Sequence, residues 1–88
     1  MRTEKEVLND FEKLGWKLAD KLPNFVLHKR KITQCEDNEI THYCYIRINK
    51  EKQTYGVEDN YYFHPYYYRL TMQEHKLLTD LFKIWRWL

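Results

Sequence analysis

Apolar residues at the start of the chain recur at helical spacing. Val7, Leu8, Phe11 and Leu14 fall on one helical face. Thr3, with Glu6 three positions on, supplies a capping box, in which side chains satisfy amide groups that a helix start leaves unbonded. Gly15 stands where a left-handed C-terminal cap is expected, and Trp16 after it is placed to pack back on Phe11. The spacing predicts a helix over residues 3–14. The pattern returns at the end of the chain. Thr71 and Glu74 form a second capping box, and Leu77, Leu78, Leu81, Phe82, Trp85 and Leu88 share one face. Gln73, Lys76, Asp80, Lys83 and Arg86 lie opposite them, and Trp87 falls off the apolar stripe. This predicts a second helix over residues 70–88.

Between the helices the period changes from about four to two. Residues 39–49 alternate, with Ile40, His42, Cys44, Ile46 and Ile48 on one face and Thr41, Tyr43, Tyr45, Arg47 and Asn49 on the other. The first set suits a core under the helices and the second an open face. Residues 16–22 and 24–32 read as the arms of a hairpin turning at Pro23 and Asn24. Its register is open: a two-residue loop pairs Leu22 with Phe25 but sets Leu18 opposite Lys29, and a longer loop flips the second arm. Residues 34–39 read as a polar loop, 53–57 as a further strand and 58–60 as a turn. Residues 61–69, Tyr-Tyr-Phe-His-Pro-Tyr-Tyr-Tyr-Arg, form an aromatic run that Pro65 confines to an edge strand or an extended connection. The expected fold is α+β: an antiparallel meander sheet of three to four strands, with an N-terminal and a C-terminal helix packed on one face.

Composition narrows the function classes. The 88 residues 1–88 suffice for a single domain with one core. Aromatic residues make up 17% of the chain, which offsets the small area that so short a chain can bury. The formal net charge of +2 neither predicts nor excludes a nucleic-acid partner. There is no serine, which removes every serine-nucleophile mechanism, and two glycines cannot build a phosphate-cradling loop. The charged opening, residues 1–6, does not read as a signal peptide, and no apolar stretch approaches the roughly 20 residues of a membrane span. Cys35 and Cys44 do not make a disulfide framework. Two reduced thiols in a cytoplasmic protein are expected.

His42 and Cys44 alternate on one strand face, with Cys35 near and His28 on the neighbouring arm, but no pair has a zinc-motif spacing. A core thiol and a partly buried imidazole are expected there, with no metal and no other cofactor. No spacing joins an acid, a base and a nucleophile, and His64 and His75 read as surface or cap residues, so no catalytic residue is assigned and a non-enzyme is expected. Two binding surfaces stand out. Tyr61, Tyr62, Phe63, Tyr66, Tyr67 and Tyr68 with Arg69 are too many rings for so small a core, and rings and arginine favour the centre of protein interfaces. This run is the expected contact with a protein partner, or with a second copy of the chain. The alternative is a sheet face of Tyr43, Tyr45 and Arg47, with Lys29, Arg30 and Lys31 on a neighbouring strand, holding single-stranded nucleic acid by stacking and phosphate contacts.

The last segment also carries a resemblance. Thr71-Met72-Gln73-Glu74-His75-Lys76-Leu77-Leu78, then Leu81-Phe82-Lys83-Ile84-Trp85-Arg86-Trp87, resembles the ending of small uncharacterised proteins of temperate phages and prophages of low-GC Gram-positive bacteria. Phe11-Glu12-Lys13-Leu14-Gly15-Trp16 is similar to their opening, and those proteins usually carry glycine where Arg86 stands. The resemblance covers about a third of the chain. It implies a phage accessory protein acting in the bacterial host cytoplasm, and it raises the protein-partner class without naming a partner.

Overall fold

The computed structural model describes residues 2–59 and 69–88. Its elements run α1 (Glu4–Lys13), β1 (Trp16–Asp20), β2 (Phe25–Cys35), β3 (Asn38–Asn49), β4 (Thr54–Asp59) and α2 (Met72–Ile84). The four strands form one antiparallel sheet in chain order. Both helices lie on one face, where Val7 and Phe11 of α1, and Leu77, Leu78 and Leu81 of α2, join Phe25, Leu27, Cys44, Ile46 and Ile48 in a single buried cluster. The α+β meander expected from the sequence is therefore the fold.

Both helix starts carry their capping boxes. The Thr3 and Thr71 hydroxyls accept from the amides of Glu6 and Glu74, and the glutamates accept from the threonine amides in return. Glu74 does more than cap. It is 1% exposed, and one of its carboxylate oxygens accepts the indole N–H of the buried Trp16 while the other accepts from Thr71 N at 2.8 Å. One carboxylate thus pins the start of α2 to the start of β1. Gly15 between α1 and β1 has φ +93°, a left-handed conformation that a side chain would strain.

Four boundaries differ from those the sequence predicts. The second helix stops at Ile84 because Arg86 adopts φ 62°, and the chain then folds back: Arg86 N–H donates to Lys83 O at 3.0 Å and Trp87 N–H to Phe82 O at 2.8 Å. This double closure is the motif that usually places glycine at the left-handed position. It swings Trp87 onto Phe82, ring centroids 5.2 Å apart, and leaves Leu88 74% exposed rather than on the apolar stripe. Arg86→Gly is therefore expected to stabilise the protein by about 1 kcal/mol by removing backbone strain, as a rise in the urea midpoint will show. The polar stretch 34–39 is not a loop. Strands β2 and β3 continue through it, with Cys35 opposite Asn38 and only Glu36 and Asp37 at the turn. Backbone pairing needs no apolar side chain, and Gln34 and Glu39 are exposed there. The first hairpin loop spans residues 21–24, and this loop together with an irregularity between Leu18 and Asp20 sets Leu18 opposite Leu27 rather than Lys29. Finally, β4 runs on through Glu58 and Asp59, where a turn is expected.

Candidate nucleic-acid interface

Strand alternation and the observed register decide what each candidate residue can reach. Arg30 pairs with Tyr43, His28 with Tyr45 and Val26 with Arg47 across β2 and β3, and Lys17 of β1 pairs with His28. All point away from the helices, because their neighbours Phe25, Leu27, Cys44, Ile46 and Ile48 are core residues. The open face thus presents Lys17, His28, Arg30, Tyr43, Tyr45 and Arg47 together.

The rings on this face form a ladder. His28 stacks on Tyr43 with centroids 5.5 Å apart and planes 18° from parallel, and Tyr45 stands 6.4 Å from both. The Arg47 guanidinium lies over Tyr45 at 4.7 Å and donates to Glu58 Oε1 at 2.6 Å. Arg47 is therefore already engaged on two sides. Arg30 and Lys17 are exposed and border a depression of about 240 Å³ lined by Gly15, Lys17, His28, Arg30 and Tyr43. No carboxylate among the described residues lines it. The volume is below the roughly 300–1,000 Å³ of pockets that enclose a whole small molecule, so the geometry suits a planar group laid on a surface.

The acidic turn of the β2–β3 hairpin lies too far away to repel an anion here. Glu39 is its nearest member on the open face, four residues from Tyr43, or about 13 Å along the strand. The screening length at physiological salt is about 8 Å.

Three of the six residues assigned to this face from sequence need a closer placement. Lys29 and Lys31 are on β2, next to Arg30, but their partners Cys44 and His42 put them on the helix-covered face. Consecutive strand residues cannot share a face. The Lys29 stem lies along Trp16, with Nζ 5.9 Å from the ring centroid, and so extends the core cover rather than the open surface. Arg47 is on the open face as expected, but braced by Glu58. His28 and Lys17 were missing from the sequence assignment. Both follow once β1, β2 and β3 are in register. Of the expected protein-contact residues, Tyr61, Tyr62, Phe63, Tyr66, Tyr67 and Tyr68 lie outside the described residues, and Arg69 is exposed.

Cys44, on the other face, is not set up as a nucleophile. Cys44 is fully buried, and its thiol is pushed up to about 11, first by burial and then by the neighbouring Asp59 carboxylate. It is therefore protonated at neutral pH, whereas thiol attack needs the thiolate.

No protein-family model matches the chain, and neither a curated protein nor a solved structure is similar to it. No helix among the described residues is long and apolar enough to cross a membrane.

Proposed function

We propose that the protein is a non-enzymatic binding module that holds single-stranded nucleic acid on the open face of its sheet. The observation that carries this reading is the ladder of His28, Tyr43 and Tyr45 beside the exposed cations Lys17 and Arg30. Bases stack on such rings without regard to sequence, and cations alongside take the phosphates. Duplex nucleic acid hides its base faces and gains nothing from stacking platforms. Weak sequence preference and a strong salt dependence follow.

Fluorescence anisotropy with labelled single-stranded oligonucleotides at low salt tests this. Tyr43→Ala is expected to weaken binding by about 5–150-fold, the equivalent of one stacked base at about 1–3 kcal/mol. Arg30→Ala is expected to weaken it and flatten the salt dependence. Lys31→Ala should leave affinity nearly unchanged, because Lys31 is on the other face. No response up to about 100 μM protein, the weak limit of non-specific binding, rejects the proposal. The protein-contact reading of residues 61–69 then takes its place. It predicts that a Tyr62→Ser and Tyr67→Ser double variant loses capture of a protein partner without a change in melting temperature.

A further inference from the structure

The helix-covered face of the sheet holds a polar constellation that the open-face reading does not use. His42 and Cys44 stand two residues apart on β3, and Asp59 lies directly across from Cys44 on β4. They offer an imidazole nitrogen, a sulfur and a carboxylate oxygen, all within 4.8 Å of one another. His42 is 7% exposed, Cys44 0%, and the Asp59 side chain 12%. Among the described residues, no other group of three such donors converges.

We propose that His42, Cys44 and Asp59 bind a divalent transition-metal ion of the zinc class, leaving a further coordination position for another donor. The donor set is the mixed nitrogen, sulfur and oxygen kind that zinc takes, and thiolate with imidazole excludes magnesium and calcium as preferred occupants. The distances fit. With zinc bonds of about 2.0–2.3 Å, tetrahedral coordination holds nitrogen and oxygen donors about 3.4 Å apart and sets sulfur about 3.6 Å from either. His42 Nε2 and Asp59 Oδ1 already stand 3.1 Å apart. The widest separation in the group, within 4.8 Å, would have to close by about 1.2 Å on binding.

The charges of a loaded site balance. One divalent ion with one thiolate, one carboxylate and a neutral imidazole sums to zero. Binding breaks the Cys44 S–H bond and releases that proton to solvent, while the imidazole, ligating through Nε2, keeps its proton on Nδ1. No electron is transferred. The site is independent of the open-face proposal, since it lies on the opposite side of the sheet.

Cobalt(II) is the probe. Chelator-treated protein titrated with cobalt should develop a thiolate-to-cobalt charge-transfer absorption that saturates at one equivalent and is bleached by zinc. The band should persist in Cys35→Ala and vanish in Cys44→Ala. Asp59→Asn should lower cobalt affinity by more than the roughly 10–100-fold typical of losing an outer-shell partner. Circular dichroism establishes that each variant is folded. If Cys44→Ala does not fold, the wild-type band and its loss of affinity in Asp59→Asn decide. Absence of the band in folded wild-type protein overturns the proposal, as does a band that disappears in Cys35→Ala. The three side chains would then be a His–Asp contact against an inert core thiol.

Discussion

Trp16→Ala is expected to cost about 3–5 kcal/mol, the range for removing a large ring from a core. Trp16 is fully buried, opens β1 directly after the Gly15 turn and donates its indole N–H to Glu74. The substitution removes the ring on which Lys29 lies and takes one donor from a carboxylate that also caps α2. Domains are stable by about 5–15 kcal/mol, and one of this size sits toward the low end, so the variant should lose half or more of its stability. Trp16→Phe separates the two contributions. It keeps most of the ring and loses the donor, for an expected cost of about 1–3 kcal/mol. Urea denaturation of the three proteins measures both differences. A loss below about 1 kcal/mol for Trp16→Ala would place the ring outside the core.

Leu81→Ala carries the second large effect, about 2–5 kcal/mol. Leu81 is the fully buried residue at the centre of the α2 face, flanked by Leu77 and Leu78 in the shared cluster. Trp85→Ala should fall toward the lower end of that range. Trp85 is only half-buried, although it meets Phe25 edge-on at 5.0 Å and donates to Glu4 Oε1 at 2.8 Å. Leu88→Ala should change stability by no more than about 0.5 kcal/mol, because the chain has left the helix before it. Helical spacing alone puts Leu81, Trp85 and Leu88 on one stripe. The graded series distinguishes the observed α2 terminus from a helix that continues to the last residue.

The parts of this fold legible in the sequence are those set by local chemistry. The capping boxes at Thr3 and Thr71, the Gly15 terminus and the alternation from Ile40 to Ile48 need only neighbours in the chain, and each is where the sequence puts it. The misread parts depend on partners far away. Residues 34–39 look like a loop because their side chains are polar, yet their backbones pair. The offset between Leu18 and Asp20 that sets the β1–β2 register has no signature in composition. Asp59 reads as a turn residue until β4 is extended along β3 to meet Cys44. The candidate interface was half legible. Tyr43, Tyr45 and Arg47 follow from the alternation of one strand, whereas His28 and Lys17 join them only through the register of two others. Lys29 and Lys31 neighbour Arg30 in sequence, but strand alternation puts them on the opposite face.

The measurement that bears most directly on the central claim is amide chemical-shift mapping by NMR, as an unlabelled single-stranded oligonucleotide is added to isotope-labelled protein. The account predicts shifts concentrated at Lys17, His28, Arg30, Tyr43 and Tyr45, with α1, α2 and the 36–37 turn unmoved. Shifts centred on residues 61–69 or on the helices, or a spectrum that does not change, would contradict it.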